Sequence, residues 1–137
     1  MAIHISSMIS GKRKTAVAKL RYIAGKGSVS YNGLQYTELP LFHKLAISEP
    51  LRIYAEEMGE TPAHDFIITT LGGGKESQVQ AARLALAKAL VQLSGSDTLK
   101  KAYLAYDRNI LVPDARRKEA SKPGDSAPRA KRQKSYR

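Results

Sequence analysis

Three basic stretches of this 137-residue chain carry residue types that could do chemistry, and in each the chemistry on offer is contact with phosphate. The last nine residues, "RAKRQKSYR", hold Arg129, Lys131, Arg132, Lys134 and Arg137 with no acidic side chain among them. Gln133, Ser135 and Tyr136 can hydrogen-bond, and Tyr136 can stack on a base. The stretch has too little apolar surface to offset its own ordering entropy, so it is expected to be disordered alone and to order on a polyanion. Each Lys or Arg that neutralises a phosphate releases condensed counterions, and a flexible segment can follow an irregular backbone. An unstructured solubilising tail is the bland alternative. The second stretch is the cluster Lys12, Arg13, Lys14. The third is Gly72, Gly73, Gly74 and Lys75 ahead of a helical pattern, where backbone N–H groups at a helix N-terminus could meet a phosphate or could simply permit a tight turn.

Other chemistries are poorly provided for. The spacing at Gly72–Lys75 is wrong for GxxxxGK[ST], and Glu76 follows the lysine where Ser or Thr would be needed. A phosphotransferase using those residues is the enzyme alternative, and it would require saturable binding of ATP with magnesium. His4, His43 and His64 lie in separate segments without metal-ligand spacing, so no metal or cofactor is expected. With no cysteine, disulfide and zinc-thiolate frameworks are closed to the chain, and no local motif activates a Ser, Thr or Lys nucleophile. No catalytic residue is expected.

The elements that must position the basic stretches can be read from periodicity. Residues 3–10 alternate loosely around Ile3 and Ile5, a first strand that Gly11 is expected to break. In "KRKTAVAKLRYIAG", Ala16, Ala18, Leu20, Tyr22 and Ala24 form the more apolar parity and should face the core. That leaves Lys19 and Arg21 outward, with Arg13 near the strand's start. "SVSYNG" reads as the returning strand of a hairpin or meander, closed by Asn32-Gly33. From Thr37 to Met58 the spacing turns helical. Ser48 is placed to cap a second short helix with Pro50 in its first turn, and Gly59 ends it. "HDFIITTLG" is a short, mostly apolar and hence buried strand with Phe66, Ile68 and Thr70 on one face. Glu76 to Ser94 is the strongest helix. Its stripe is Val79, Ala82, Leu86, Leu90 and Leu93, Lys88 and Gln92 lie opposite, and Arg83 flanks it with the guanidinium reaching out. Gly95 suits the C′ position, and Asp97 can cap a further helix.

The fold class expected is α+β, as ββαβα with extra short helices. The body spans residues 1–112 and a basic tail 113–137. The tail has nine basic residues against three acids, a net +6 of the chain's +11, so the body is basic as well. Nucleic acid is the partner this favours, ahead of an acidic membrane surface. The opening "MAIHISSMIS" has no basic n-region and no stretch is long enough to span a bilayer, so a soluble protein is expected.

Four ordered blocks resemble one family, the ninth protein of the small ribosomal subunit. They are "GKRKTAVAKL", "GGGKESQVQAARLALAKAL", the run from Asp107-Arg108 through Asp114, Arg116 and Arg117, and the terminal "KRQKSYR". "SYR" and "EPLRIYAEE" are similar to the archaeal and eukaryotic branch, while Ser77 stands where many relatives have glycine. The resemblance implies a two-layer α/β sandwich similar to the second domain of small-subunit protein five, with a left-handed βαβ crossover. It implies a cytoplasmic ribosomal protein bound to the 3′ head region of small-subunit RNA beside neighbouring small-subunit proteins, without a small-molecule substrate or membrane. The ribosomal RNA contacts it suggests are Lys12, Arg13, Lys14, Lys19, Arg21, Gly72, Gly73, Gly74, Lys75, Arg83, Arg108, Arg116, Arg117, Lys118, Arg129, Lys131 and Arg132. Lys134, Tyr136 and Arg137 would meet the peptidyl-site tRNA. A non-ribosomal RNA-binding protein is the alternative. A segment of about 25 residues can extend to about 80 Å, enough to cross an RNA-filled gap.

Overall fold

The computed structural model describes residues 7–124 and 127–136. Its strands are β1 (Ile9–Arg13), β2 (Ala16–Ala24), β3 (Val29–Tyr31), β4 (Leu34–Gln35) and β5 (His64–Leu71). Its helices are α1 (Leu41–Met58), α2 (Lys75–Ser94) and α3 (Asp97–Tyr106), with 3-10 turns at Tyr36–Glu38 and Arg108–Ile110. The sheet runs β1-β2-β5-β3-β4, antiparallel except where β3 lies parallel to β5. The mixed α+β class expected from the sequence is observed.

Alternation makes the sheet two-faced. Ile9 and Gly11 on β1, Ala16, Ala18 and Leu20 on β2, Phe66, Ile68 and Thr70 on β5, and Val29 and Tyr31 on β3 are buried on one side. Helix α2 lies across that side, and α1 and α3 pack on α2 in turn. Leu99, Tyr103 and Ile110 form a second small core with Ala87 on the far side of α2, so this helix is buried nearly all round. The Tyr103 hydroxyl donates to the carbonyl of Pro50 at 2.7 Å, and burial pushes its phenol upward, keeping it a neutral donor.

Gly11 does not break the first strand. It sits inside β1, where an added Cβ would lie 2.2 Å from the Ala81 carbonyl oxygen and 2.8 Å from the Ala85 nitrogen. The glycine is there because the helix backbone is. Residues 3–6 of the expected strand fall outside the described residues. The turn that follows is Lys14-Thr15, with Lys14 at φ 51°, so the first hairpin joins β1 to β2.

The expected pairing of β2 with the "SVSYNG" strand is wrong. β5 lies between them, because the loop after β2 is tied elsewhere: the N–H groups of Lys26, Gly27 and Ser28 all donate to Asp65 Oδ1, at 2.9, 3.1 and 2.9 Å. These donors, Ser28 foremost, hold the Asp65 carboxyl below its ordinary range. Asn32-Gly33 does turn β3 into β4, with both residues at positive φ. The Asn32 side chain accepts from the Thr70 N–H at 2.9 Å and donates to the Thr70 hydroxyl at 2.8 Å.

Helix α1 is one helix where two were expected. Pro50 lies in its interior, and Ser48 donates back to the Leu45 carbonyl at 2.7 Å instead of capping. Its first-turn apolar residues face outward, Phe42 being 80% exposed. Gly59 and Gly95 close α1 and α2 in the left-handed region, as their positions predict. Ser96, not Asp97, caps α3, accepting from the Leu99 N–H. Strand β5 is covered on one face only: Ile67, Thr69 and Leu71 are exposed.

Gly11→Ala is expected to destabilise the fold by more than about 3 kcal/mol, beyond the usual overpacking range, because the clash is with helix backbone. Ser10→Ala, on the uncovered side of the same strand, should change stability by less than about 0.5 kcal/mol. Urea unfolding of the two variants checks the contrast.

Candidate nucleic-acid interface

The sheet face that α2 leaves uncovered gathers basic residues from two strands. Register places Ser10 opposite Lys19 and Lys19 opposite Thr69; Lys12 opposite Val17 and Val17 opposite Leu71; and Arg21 opposite Ile67. Lys12, Lys19 and Arg21 therefore share one exposed surface with Ile23, Ile67, Thr69 and Leu71. The acid on that face, Asp65, is already committed to the backbone of residues 26–28. A row of cations with long apolar stems, interleaved with aliphatic side chains, can offer both charge and a dry contact to a polyanion. Leu71 is 64% exposed, a large apolar residue left uncovered by the described residues.

At the end of the β1–β2 hairpin the surface continues. Lys14, Arg116, Arg117 and Lys118 line one open cleft together with Arg13. Lys12 and Arg116 also line a second cleft, of about 230 Å³, bounded by Arg83, Leu84 and Asn109. The structure thus brings four of the expected phosphate contacts, Lys12, Lys14, Arg117 and Lys118, to one end of the molecule, with Arg116 beside them paired to Asp114.

Arg13 and Arg83 do not reach outward as expected. Arg13 shares the helix-covered side of β1 with Gly11 and forms an ion pair with Asp114, leaving its side chain 23% exposed. Arg83 is buried between α1 and the turn after α3. It pairs with Glu49 at 2.6 Å and with Asp107 at 3.2 Å, its side chain only 9% exposed. A residue flanking an amphipathic stripe should reach solvent, but α2 is covered on both sides, so the guanidinium must find carboxylates. Both guanidiniums are held by the fold's own carboxylates, so the outward reach expected of them is not observed.

The glycine run is a turn against the hairpin. Gly72 and Gly73 adopt φ 74° and 64°, and an added Cβ on Gly72 would lie 2.7 Å from the Thr15 carbonyl oxygen. The Gln78 amide donates to the Gly72 carbonyl at 3.0 Å. Gly74 stands at the N-cap of α2 in extended conformation, with open space where a side chain would be, and Lys75 follows it, exposed. The Glu76 carboxylate is 2.8 Å from His43 Nε2.

Arg108 is exposed on the second 3-10 turn. Beyond Ile110 no helix or strand occurs among the described residues. Arg129 pairs with Glu119 at 3.0 Å, Arg132 donates to the Gly124 carbonyl at 3.3 Å, and Lys131 and Lys134 are exposed. Tyr136 is 96% exposed. Arg137 lies outside the described residues. Sequence reading missed the aliphatic residues of the open face. The parity of β5 contained them, since Phe66, Ile68 and Thr70 facing inward leaves Ile67, Thr69 and Leu71 outward.

The described residues thus form a one-sided α+β body with cations gathered on its open face and at one end. The profile described as "Ribosomal protein S9/S16" matches residues 11–137. The chain is 43% identical over 131 residues to "Small ribosomal subunit protein uS9" of Methanococcus vannielii, covering 93% of this chain and 95% of that one. The protein of the same name from Methanococcus maripaludis is 44% identical with the same coverage. That from Methanothrix thermoacetophila is 40% identical over 129 residues, covering 93% and 96%. The chain belongs to the S9 family of ribosomal proteins of the small subunit, as its motifs suggested, and that family is not a family of enzymes.

Replacing Lys19 and Arg21 together by alanine should lower the salt slope of RNA binding, the slope of log K against log [salt], by roughly 1.4–1.8, the share of two phosphate contacts. Arg83→Met should leave that slope unchanged, while Arg83→Ala lowers stability toward the low end of roughly 3–5 kcal/mol, because Glu49 and Asp107 keep contact with solvent. Filter binding across a salt series and urea unfolding separate the two roles.

Proposed function

We propose that the chain is a structural constituent of the small ribosomal subunit that docks on the 3′ head region of small-subunit RNA and steadies the peptidyl-site tRNA with its C-terminal tail. The observation that carries this reading is the shared exposed face of Lys12, Lys19 and Arg21, joined at one end to Lys14, Arg117 and Lys118, in a chain of this family. Gly74 and Lys75 at the start of α2 add backbone donors and one cation, with Arg108 a further positive group on the surface. Residues 1–112 form the RNA-binding body, and 113–137 the extended tail.

In the tail, Arg129, Lys131 and Arg132 hold ribosomal RNA on the way, and Lys134, Tyr136 and Arg137 reach the tRNA. A guanidinium suits this role because its planar fork can hold a phosphate bidentately. Neighbouring small-subunit proteins complete the environment, in the cytoplasm, with no membrane and no small-molecule substrate. We also infer that the connection from β3 through α1 to β5 is the βαβ crossover of the resembled sandwich, supported by β3 and β5 being parallel neighbours with α1 between them in sequence; its left hand rests on the resemblance alone.

Full-length protein and a version ending at Pro128 should both co-sediment with the small subunit in sucrose gradients at low and moderate salt. If neither does, the ribosomal reading fails and a free RNA-binding protein takes its place. In reconstituted subunits, Arg137→Ala should leave assembly intact and speed release of peptidyl-site tRNA about tenfold, the equivalent of roughly 1.5 kcal/mol for a charge-assisted hydrogen bond. Unchanged release would remove the tail tip from the mechanism.

A further inference from the structure

Asp114 is a carboxylate set among the cations at the root of the tail, a position that their charge favours. It follows Pro113 in a segment without helix or strand, yet its side chain is only 11% exposed. Arg116 forks it, with Nε 2.9 Å from Oδ2 and 3.1 Å from Oδ1, and NH2 2.7 Å from Oδ2. The Arg116 backbone N–H also donates to Oδ1 at 3.0 Å, closing an Asx-type turn. On the Oδ2 side the carboxylate meets Arg13, which ends β1 opposite the fully buried Ala16. The two arginines differ: Arg116 is 79% exposed and Arg13 is 23% exposed. Arg13 ties the carboxylate to the stiff hairpin, and Arg116 folds the segment around it.

We infer that Asp114 is a positioning residue whose ion pair with Arg13 fixes where, and in which direction, the C-terminal segment leaves the body. Pinned there, Arg117 and Lys118 begin beside Lys14, and the hairpin tip and tail root form one cationic surface. Without the carboxylate, Arg13 and Arg116 repel each other, and the last fixed point moves back to buried Ile110. Four extra free residues would lower the effective concentration of the tail's end by less than about 1.3-fold, since that quantity falls only as roughly the −3/2 power of length. Length therefore hardly matters, and what the pair supplies is direction.

The chain has no cysteine, so a full-length version carrying Lys101→Cys and Ala120→Cys, both exposed sites, takes two spin labels. Pulsed dipolar spectroscopy should give a distance distribution that widens about twofold or more with Asp114→Ala or Asp114→Asn. Arg13→Ala should widen it as much and add nothing when combined with Asp114→Ala. Asp114→Glu should restore most of the narrowness, and Glu119→Ala, which breaks a different ion pair of the same segment, should leave the width unchanged. An unchanged width in Asp114→Asn, which keeps the side-chain size, overturns the inference, as does equal widening in Glu119→Ala. The consequence for tRNA rests on the function proposed above. Asp114→Asn should speed tRNA release without changing co-sedimentation. If the chain ending at Pro128 releases tRNA normally, the tRNA reading fails while the label widths still decide the role of Asp114.

Discussion

The backbone of α2 lies against the backbone of β1 at Gly11, and the rest of the structure depends on that contact. A helix can approach a sheet this closely only where neither side presents bulk, which is why the strand has glycine and the helix has Ala81 and Ala85. The close seat lets α2 be roofed by α1 and α3 and so buried nearly all round, while the sheet is covered on one face only. The uncovered face is then the place where Lys12, Lys19 and Arg21 collect. Packing on one side of the sheet determines the chemistry available on the other.

Charge is sorted by the same geometry. Asp65 holds a loop through backbone N–H groups, Glu49 and Asp107 hold Arg83, and Asp114 holds Arg13 and Arg116. Arg116 donates to the Asp114 carboxyl through side chain and backbone, and with Arg13 nearby this holds it well below the ordinary carboxylate range. These interior and root positions use arginine, whose planar fork and weaker hydration suit it to shielded pairs. Lys12, Lys14, Lys19 and Arg21 keep their charge outside. A count of basic residues thus overstates the free positive surface, since Arg13, Arg83 and Arg116 are each paired with a carboxylate.

What the sequence made legible was local. The parity of residues 16–22 and 66–70, the stripe of α2 and the glycines at 59 and 95 each depend on neighbours within a turn or two. The failures were non-local. Nothing near "SVSYNG" says that β5 will intervene, because that depends on Asp65 catching the loop 38 residues away. Pro50 is tolerated inside α1, whose last residue before it, Glu49, is held by Arg83 and whose Pro50 carbonyl receives the Tyr103 hydroxyl. The salt-bridge partners of Arg13 and Arg83 were likewise invisible to periodicity. Family resemblance carried the identification, and the residues of the open face had to wait for strand order.

Whether the face opposite α2 is the docking surface proposed above can be decided by lysine reactivity. Small subunits containing the chain, and the free protein, would be labelled with an amine reagent and read by mass spectrometry. Lys12 and Lys19 should lose most of their reactivity in the subunit, while Lys100 and Lys101 on α3 react as in the free chain. Protection of Lys100 and Lys101, with Lys12 and Lys19 still open, would place the docking surface on the helices instead of the sheet.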